Sequence, residues 1–107
     1  FMDLEGWRFF ISHTPTAHYN DKATDIKPET VLEQKQCEVF LYGHTHIPNI
    51  QKLDSNLYKI NPGHLQSLDK RGHPPTFATL EITAQSIKVE IKKLDSGQLY
   101  LQDTLTK

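Results

Sequence analysis

The sequence predicts an α/β fold, strand-rich with a single helix, and three features predict it. A short amphipathic stretch after Pro28 separates an aromatic run (residues 6–12) from an apolar one (residues 37–42). The apolar run stops at Gly43 and is followed at once by His44-Thr45-His46, which is how a strand in an open α/β sheet meets a ligand loop at its C-terminal edge. Beyond Pro48 the pattern turns wholly to alternating strands. With 107 residues the chain fits one small domain, and it can bury about two-thirds of the surface its unfolded form exposes. Five or six strands and one helix are expected.

Taken in order, Gly6-Trp7-Arg8-Phe9-Phe10-Ile11-Ser12 reads as a strand, rich in aromatic residues and stopped by Thr14-Pro15. Residues 14–27 are polar, with Asn20, Asp21 and Lys22 clustered, and read as a loop. Pro28 suits the first turn of a helix and Glu29 its positive end. Val31, Leu32 and Lys35 carry that helix to about Gln36. Cys37 to Tyr42 suits a strand buried on both faces. Residues 49–53 and 57–60 flank Asp54-Ser55-Asn56, a hairpin signal. Asn61-Pro62-Gly63 is a turn, and residues 65–75 form a polar loop with Gly72 and Pro74-Pro75. Thr76 to Ile82 sets Phe77, Thr79 and Glu81 opposite Ala78, Leu80 and Ile82. In residues 86–94, Ile87, Val89 and Ile91 share one face while Lys88, Glu90 and Lys92 share the other. The tail from Gly97 adds an edge strand at 99–101 or frays.

The composition excludes several classes. A hydrophobic fraction of 36% and a charged fraction of 23% are those of a folded domain, not a disordered one. Lys and Arg number 12 against 13 Asp and Glu, a formal charge of -1, so no extended nucleic-acid surface is expected. A phosphorylated substrate would have to be gripped by a local site. Cys37 is the one cysteine, which rules out an internal disulfide and fits a reducing, cytoplasmic setting. No run approaches the roughly 20 apolar residues that span a bilayer, and no signal peptide is visible. The first residue is Phe1, which leaves two expectations open: a chain that begins within a longer protein, or Met2 as an initiator behind one extra residue. A homo-oligomer is among the states this sequence permits.

The chemistry sits in the histidines. There are 6 of them, and His13, His44, His46 and His64 fall on loops at strand ends. Imidazole is the commonest side chain for holding a transition metal. Histidines at i and i+2 point apart in an extended strand, so His44 and His46 need a turn to converge or to serve two adjacent ions. Gly43 is the expected site of that bend, having no Cβ to clash. With 5 Gly and 6 His in the chain, Gly-His-x-His arises by chance about 0.015 times, so the motif draws its force from its strand context. His18 and His73 read as solvated loop residues, and His64 either lines the pocket or merely follows a turn. Cys37 and the run Trp7, Phe9, Phe10 read as core, Asn61-Pro62-Gly63 as a structural turn at the rim, and Lys88, Lys92 and Lys93 as a solvated strand face.

The order of a His-ended strand at His13, a strand ending in Gly43-His44-Thr45-His46-Ile47-Pro48, a hairpin, Ile60-Asn61-Pro62-Gly63 and two closing strands resembles the calcineurin-like metallophosphoesterases, and among them the small phosphodiesterase branch. The resemblance spans residues 6–94 and matches the family's second half. It implies a metallophosphoesterase-type β-sandwich flanked by helices, with residues 1–107 forming the C-terminal, strand-rich part of a single domain. It also implies a metal site in which His13 and His44 hold one ion and His46 reaches a second. Two divalent ions (Mn, Fe or Zn) are implied as cofactors, imidazole favouring these over calcium or magnesium. The implied reaction is hydrolysis of a phosphomonoester or phosphodiester by a metal-activated hydroxide, on a phosphorylated small molecule or nucleotide, without a membrane partner. No side chain of this chain is assigned as a catalytic nucleophile, and no substrate-binding residue is assigned.

The chain departs from the family pattern at several points. The Asp-x-His, bridging Asp and Asn-His elements of the family's first half have no match, and Asp25, Asp54 and Asp69 lack the motifs around them. Where relatives commonly have Ser after Asn-Pro-Gly, His64 stands here, and Thr14-Pro15 follows His13 where relatives often show Gly-His. The isolated chain is therefore expected to bind metal weakly and to be nearly inactive. Two rival readings remain: a protein-interaction scaffold of the same fold, as in the retromer subunit that resembles these phosphodiesterases, and a lone structural zinc site on an unrelated fold.

Overall fold

A computed structural model of the chain describes residues 1–13, 27–54, 56–66 and 72–106. The expected loop at 14–27 (bar Lys27), with His18 and Asp25, lies outside the described residues, as do Ser55 and the part of the polar loop that holds Asp69. In chain order the elements are β1 (Met2–Leu4), β2 (Trp7–Ser12), α1 (Pro28–Glu33), β3 (Val39–Tyr42), β4 (Asn49–Asp54), β5 (Leu57–Asn61), β6 (Thr76–Ile82), β7 (Ser86–Lys93) and β8 (Leu99–Thr106). The strands form a mixed five-stranded sheet, ordered β1-β2-β3-β5-β4, and an antiparallel three-stranded sheet, β6-β7-β8.

The centre of the mixed sheet is parallel: β2 pairs with β3, and β3 with β5. Parallel neighbours need a crossover, and α1 lies in the crossover between β2 and β3. Such strands are covered on both faces, and alternation assigns the faces. Trp7, Phe9, Val39, Tyr58 and Ile60 point to one side, where Ile87, Val89 and Leu105 of the second sheet meet them. Phe10, Phe40, Tyr42 and Leu57 point to the other, where Val31 and Leu32 of α1 and Cys37 pack. The layers are therefore helix, mixed sheet, antiparallel sheet. Each fully buried Ile or Phe contributes roughly 1.5–3 kcal/mol through the water it sheds. The sheets are also pinned by polar bonds: Trp7 Nε1–H donates to the Thr83 carbonyl (2.7 Å), and Tyr58 Oη donates to the Thr106 carbonyl (3.2 Å).

The α/β fold and the face assignments are as expected, but several boundaries move. The helix stops at Glu33 rather than near Gln36 because a Schellman motif closes it. Lys35 takes φ 51, its N–H bonds Leu32 O (3.3 Å), and Gln36 N–H bonds Val31 O (3.0 Å). This is the usual left-handed ending with Lys in place of Gly. Eight strands stand among the described residues where five or six were expected. β1 escaped notice because it is short and exposed along its length. It joins β2 through Glu5 (φ 51) and Gly6 (φ 84), two positive φ values that define a tight I′-type hairpin. The tail does not fray: β8 pairs along β7 with Ile87 opposite Leu105, and Leu105 is fully buried.

Cys37 is 4% exposed, and burial pushes its thiol from 9.0 up to about 11. The thiolate is the nucleophile, so Cys37 is core and not a reactive group. Folded protein at pH 8 is expected to resist thiol reagents that label it fully in denaturant, which a colorimetric thiol count checks. The folded state holds this proton more tightly than the unfolded chain. Its contribution to stability is therefore complete below about pH 9 and is lost as pH rises towards 11.

Candidate metal centre

The site forms where β2 and β3 end side by side. Their parallel register runs from Phe9 opposite Val39 to Ser12 opposite Tyr42. It continues for one more rung, Gly43 N–H donating to His13 O at 3.2 Å. The residues that follow are thereby forced together. The imidazoles of His13 and His44 stand edge to face, with ring centroids 5.3 Å apart, and both residues are exposed. A depression lined by Ile11, Ser12, His13, Leu41, Tyr42, Gly43 and Pro62 opens beside them.

The bend is not made by Gly43. Gly43 lacks a positive φ, while His44 (φ 71) and His46 (φ 62) both have one. A Cβ on Gly43 would meet only His13 O, at 3.5 Å, an ordinary contact. The expectation that Gly43 supplies the turn is thus corrected: two histidines carry it. Thr45 N–H bonds Gly43 O at 2.8 Å, an i to i+2 bond that with the positive φ of His44 makes the rarer, strained kind of γ-turn. Left-handed backbone costs a non-glycine residue roughly 1–2 kcal/mol, and such strain collects at functional sites.

The strained loop is held from below by the turn after β5. Asn61 is fully buried. Its Nδ2 donates to Thr45 Oγ1 (2.8 Å), and its Oδ1 accepts the N–H of Gly63 (2.9 Å). Thr45 Oγ1 also accepts the N–H of Ile47 at 3.4 Å, so one hydroxyl spans His46. Thr76 locks the turn from the second sheet, its Oγ1 donating to Pro62 O (2.7 Å) and its N–H to His64 O (2.8 Å). Asn61-Pro62-Gly63 therefore does brace the rim. The partnership of Asn61 with Thr45, 16 residues apart, had no local signal in the sequence.

His64 is buried, at 5% exposure. Its Nδ1 accepts the N–H of Gln66 (3.3 Å), so Nε2 carries the hydrogen and donates it to His73 O (2.9 Å). Both nitrogens are engaged, so His64 braces the site and does not ligate. His73, expected to be solvated, is half-buried and bonded through Nδ1 to the Tyr100 hydroxyl (2.8 Å). The cause is tertiary: β8 folds back along β7 and brings Tyr100 to a residue 27 positions away. His46 stacks at a tilt on His64, with centroids 5.6 Å apart. The fold thus pairs His13 with His44 and His46 with His64. Among the described residues no group of three His, Cys, Asp or Glu side chains stands ready to hold an ion. As donors, two neighbouring imidazoles fit part of the shell of a borderline divalent metal.

This layered sheet with a histidine loop at its strand ends is that of a phosphoesterase-type α/β domain. The family model of the calcineurin-like phosphoesterase superfamily domain matches residues 1–85, and the chain belongs to that superfamily. It is 30% identical over 84 residues to the phosphodiesterase YfcE of Escherichia coli (strain K12), covering 78% of this chain and 40% of that protein, which sets it in the small phosphodiesterase branch. Vacuolar protein sorting 29 from Cryptosporidium parvum superposes with a TM-score of 0.71 at 14% identity, over 99% of this chain and 55% of that one. Wild-type Vps29 complexed with zinc from Entamoeba histolytica gives 0.64 at 16% identity, over 98% and 58%. At such identities the structures speak for the fold. The chain spans less than two thirds of the length of each of these relatives. No described helix is long and apolar enough to cross a membrane.

Proposed function

We propose that this chain supplies part of a two-metal phosphoesterase centre, with His13 and His44 as ligands of one divalent ion and His46 directed to a second. The observation that carries the reading is the 5.3 Å pairing of His13 and His44 at the ends of adjoining parallel strands. Membership of a phosphoesterase superfamily supports it. The bound ions would supply Lewis acidity and a hydroxide at neutral pH. The chain's own task is positional: the His13–Gly43 rung sets the spacing of the first two imidazoles, and the Thr45–Asn61 bond fixes the loop that presents the third. Imidazole donors favour manganese, iron or zinc. The substrate class is a phosphomonoester or phosphodiester of a small molecule or nucleotide, and the remaining ligands, carboxylates above all, are expected from the rest of the domain.

A second reading, an interaction scaffold without turnover, is favoured by the superposition of Vps29 on 99% of the chain. Manganese-dependent hydrolysis of an aryl phosphodiester by the full-length protein, set against His13→Ala and His44→Ala, separates the two. The enzyme reading expects a large loss in each variant. Equal rates in all three proteins reject it, and manganese bound without any turnover leaves the scaffold.

A further inference from the structure

The residue after Asn61-Pro62-Gly63 is a histidine, and its surroundings are built. His64 is buried, both ring nitrogens are tied to backbone groups, and its ring packs at a tilt against that of His46, with centroids 5.6 Å apart. His46 in turn sits on a backbone with φ 62, a conformation that persists only where neighbours over-determine it. Asn61, three residues before His64, holds the adjacent Thr45 hydroxyl. One turn therefore grips the loop at two successive residues, by a hydrogen bond at Thr45 and by a ring at His46.

We infer that His64 is a positioning residue for His46: an imidazole locked as the Nε2–H tautomer by Gln66 and His73, whose ring, tilted 53° against that of His46, fixes the orientation of the His46 ring. Its own nitrogens are spent on the backbone, so it offers the neighbouring loop a surface and no competing donor. Ring pairs at 4.5–7 Å centroid separation favour tilted arrangements such as this one, so the contact is directional as well as apolar. A short hydroxyl side chain at this position would have neither the reach nor the plane to do this. The link continues outward, since His73, whose carbonyl holds His64, is itself held by Tyr100 on β8. The second sheet thus bears on the metal-facing loop through His73 and His64. The significance for metal chemistry rests on the proposed function, whereas the orienting contact does not.

The test uses the full-length protein and its His64→Ala, His64→Phe and His64→Gln variants. Imidazole nitrogen NMR signals, read first without metal, report the ring of His46 directly. In His64→Ala the His46 signals are expected to shift and broaden while those of His13 and His44 stay in place. His64→Phe, which keeps a flat ring but no nitrogen, is expected to restore most of the His46 signature. His64→Gln, which keeps a donor for His73 O but no ring, is expected to behave like Ala. On adding manganese, the weaker binding step is expected to fall roughly 10-fold in the Ala variant, at the low end of what outer partners of metal ligands contribute, with KM for substrate unchanged. Unchanged His46 signals in both the Ala and Gln variants overturn the inference, as does a Phe variant no better than Ala. A wild-type protein that binds no manganese would overturn the proposed function while the metal-free spectra still decide the role of His64.

Discussion

His44→Ala and His44→Gly are expected to be equally inactive, yet the Gly variant is expected to be the more stable by about 1 kcal/mol. Both substitutions delete the imidazole and every contact it makes, so those losses cancel between them. What differs is the backbone. His44 sits at φ 71 at the centre of the Thr45–Gly43 bond, where any Cβ is strained and glycine is at ease. Glycine's greater freedom in the unfolded chain subtracts several tenths of a kcal/mol, which sets the expectation at the low end of the steric range. Activity should fall at least about 100-fold in both, since removing even an outer partner of a ligand can cost that much. Equilibrium denaturation and a manganese-dependent rate on the same preparations read the two quantities. A Gly variant less stable than the Ala variant would show that the loop is not strained. A fully active Ala variant would remove His44 from the metal site. The joint outcome of steadier backbone and lost function is what separates strain kept for ligand placement from an incidental kink.

Much of this arrangement was legible in the sequence, and the limits have physical causes. Period-two alternation set the faces of β6 and β7 correctly because each strand has one dry side. Phe40 read as core because the run from Cys37 to Tyr42 is apolar on both sides, as a doubly covered strand is. The nearness of His13 and His44 was implied by the family resemblance alone, and the structure supplies its physical reason: β2 and β3 run parallel and place their C-terminal ends together. The location of the bend did not follow. Glycine is the residue that tolerates positive φ most readily, so Gly43 drew the expectation. Tertiary bonds to Thr45 and the packing of His46 instead impose that conformation on two histidines. Long-range polar partners escaped for the same reason: Asn61 to Thr45 and His73 to Tyr100 join segments 16 and 27 residues apart, and no local pattern encodes them. β8 was cut short because its outer residues are mostly polar and exposed, while its anchor is one buried leucine near the end.

The glycine that the fold does need is Gly63, and Gly63→Ala is expected to destabilise the protein by about 3–5 kcal/mol. Gly63 has φ +97, and a Cβ there would lie 1.8 Å from Thr76 Oγ1 and 3.2 Å from Thr76 Cβ. Thr76 cannot easily yield. It is 1% exposed, its hydroxyl donates to Pro62 O and its N–H to His64 O, so moving it leaves buried polar groups unpaired at roughly 1–3 kcal/mol each. The backbone penalty and the overpacking add to that. For a domain of this size the melting temperature should drop by roughly 15–25 °C. Gly97→Ala is the matched control, with φ +71 and nothing within 4 Å of the added carbon, so it isolates the backbone cost at about 1–2 kcal/mol. Gly43→Ala, with neither strain nor clash, should melt close to wild type. If Gly63→Ala melts no lower than Gly97→Ala, the close packing of the Asn-Pro-Gly turn on Thr76 is wrong, and with it the rigid base on which the histidine loop is said to rest. If the expected order holds, the turn beneath the histidine loop is fastened to the second sheet, and β6 and β8, far from that loop in sequence, help to hold it through Thr76 and Tyr100.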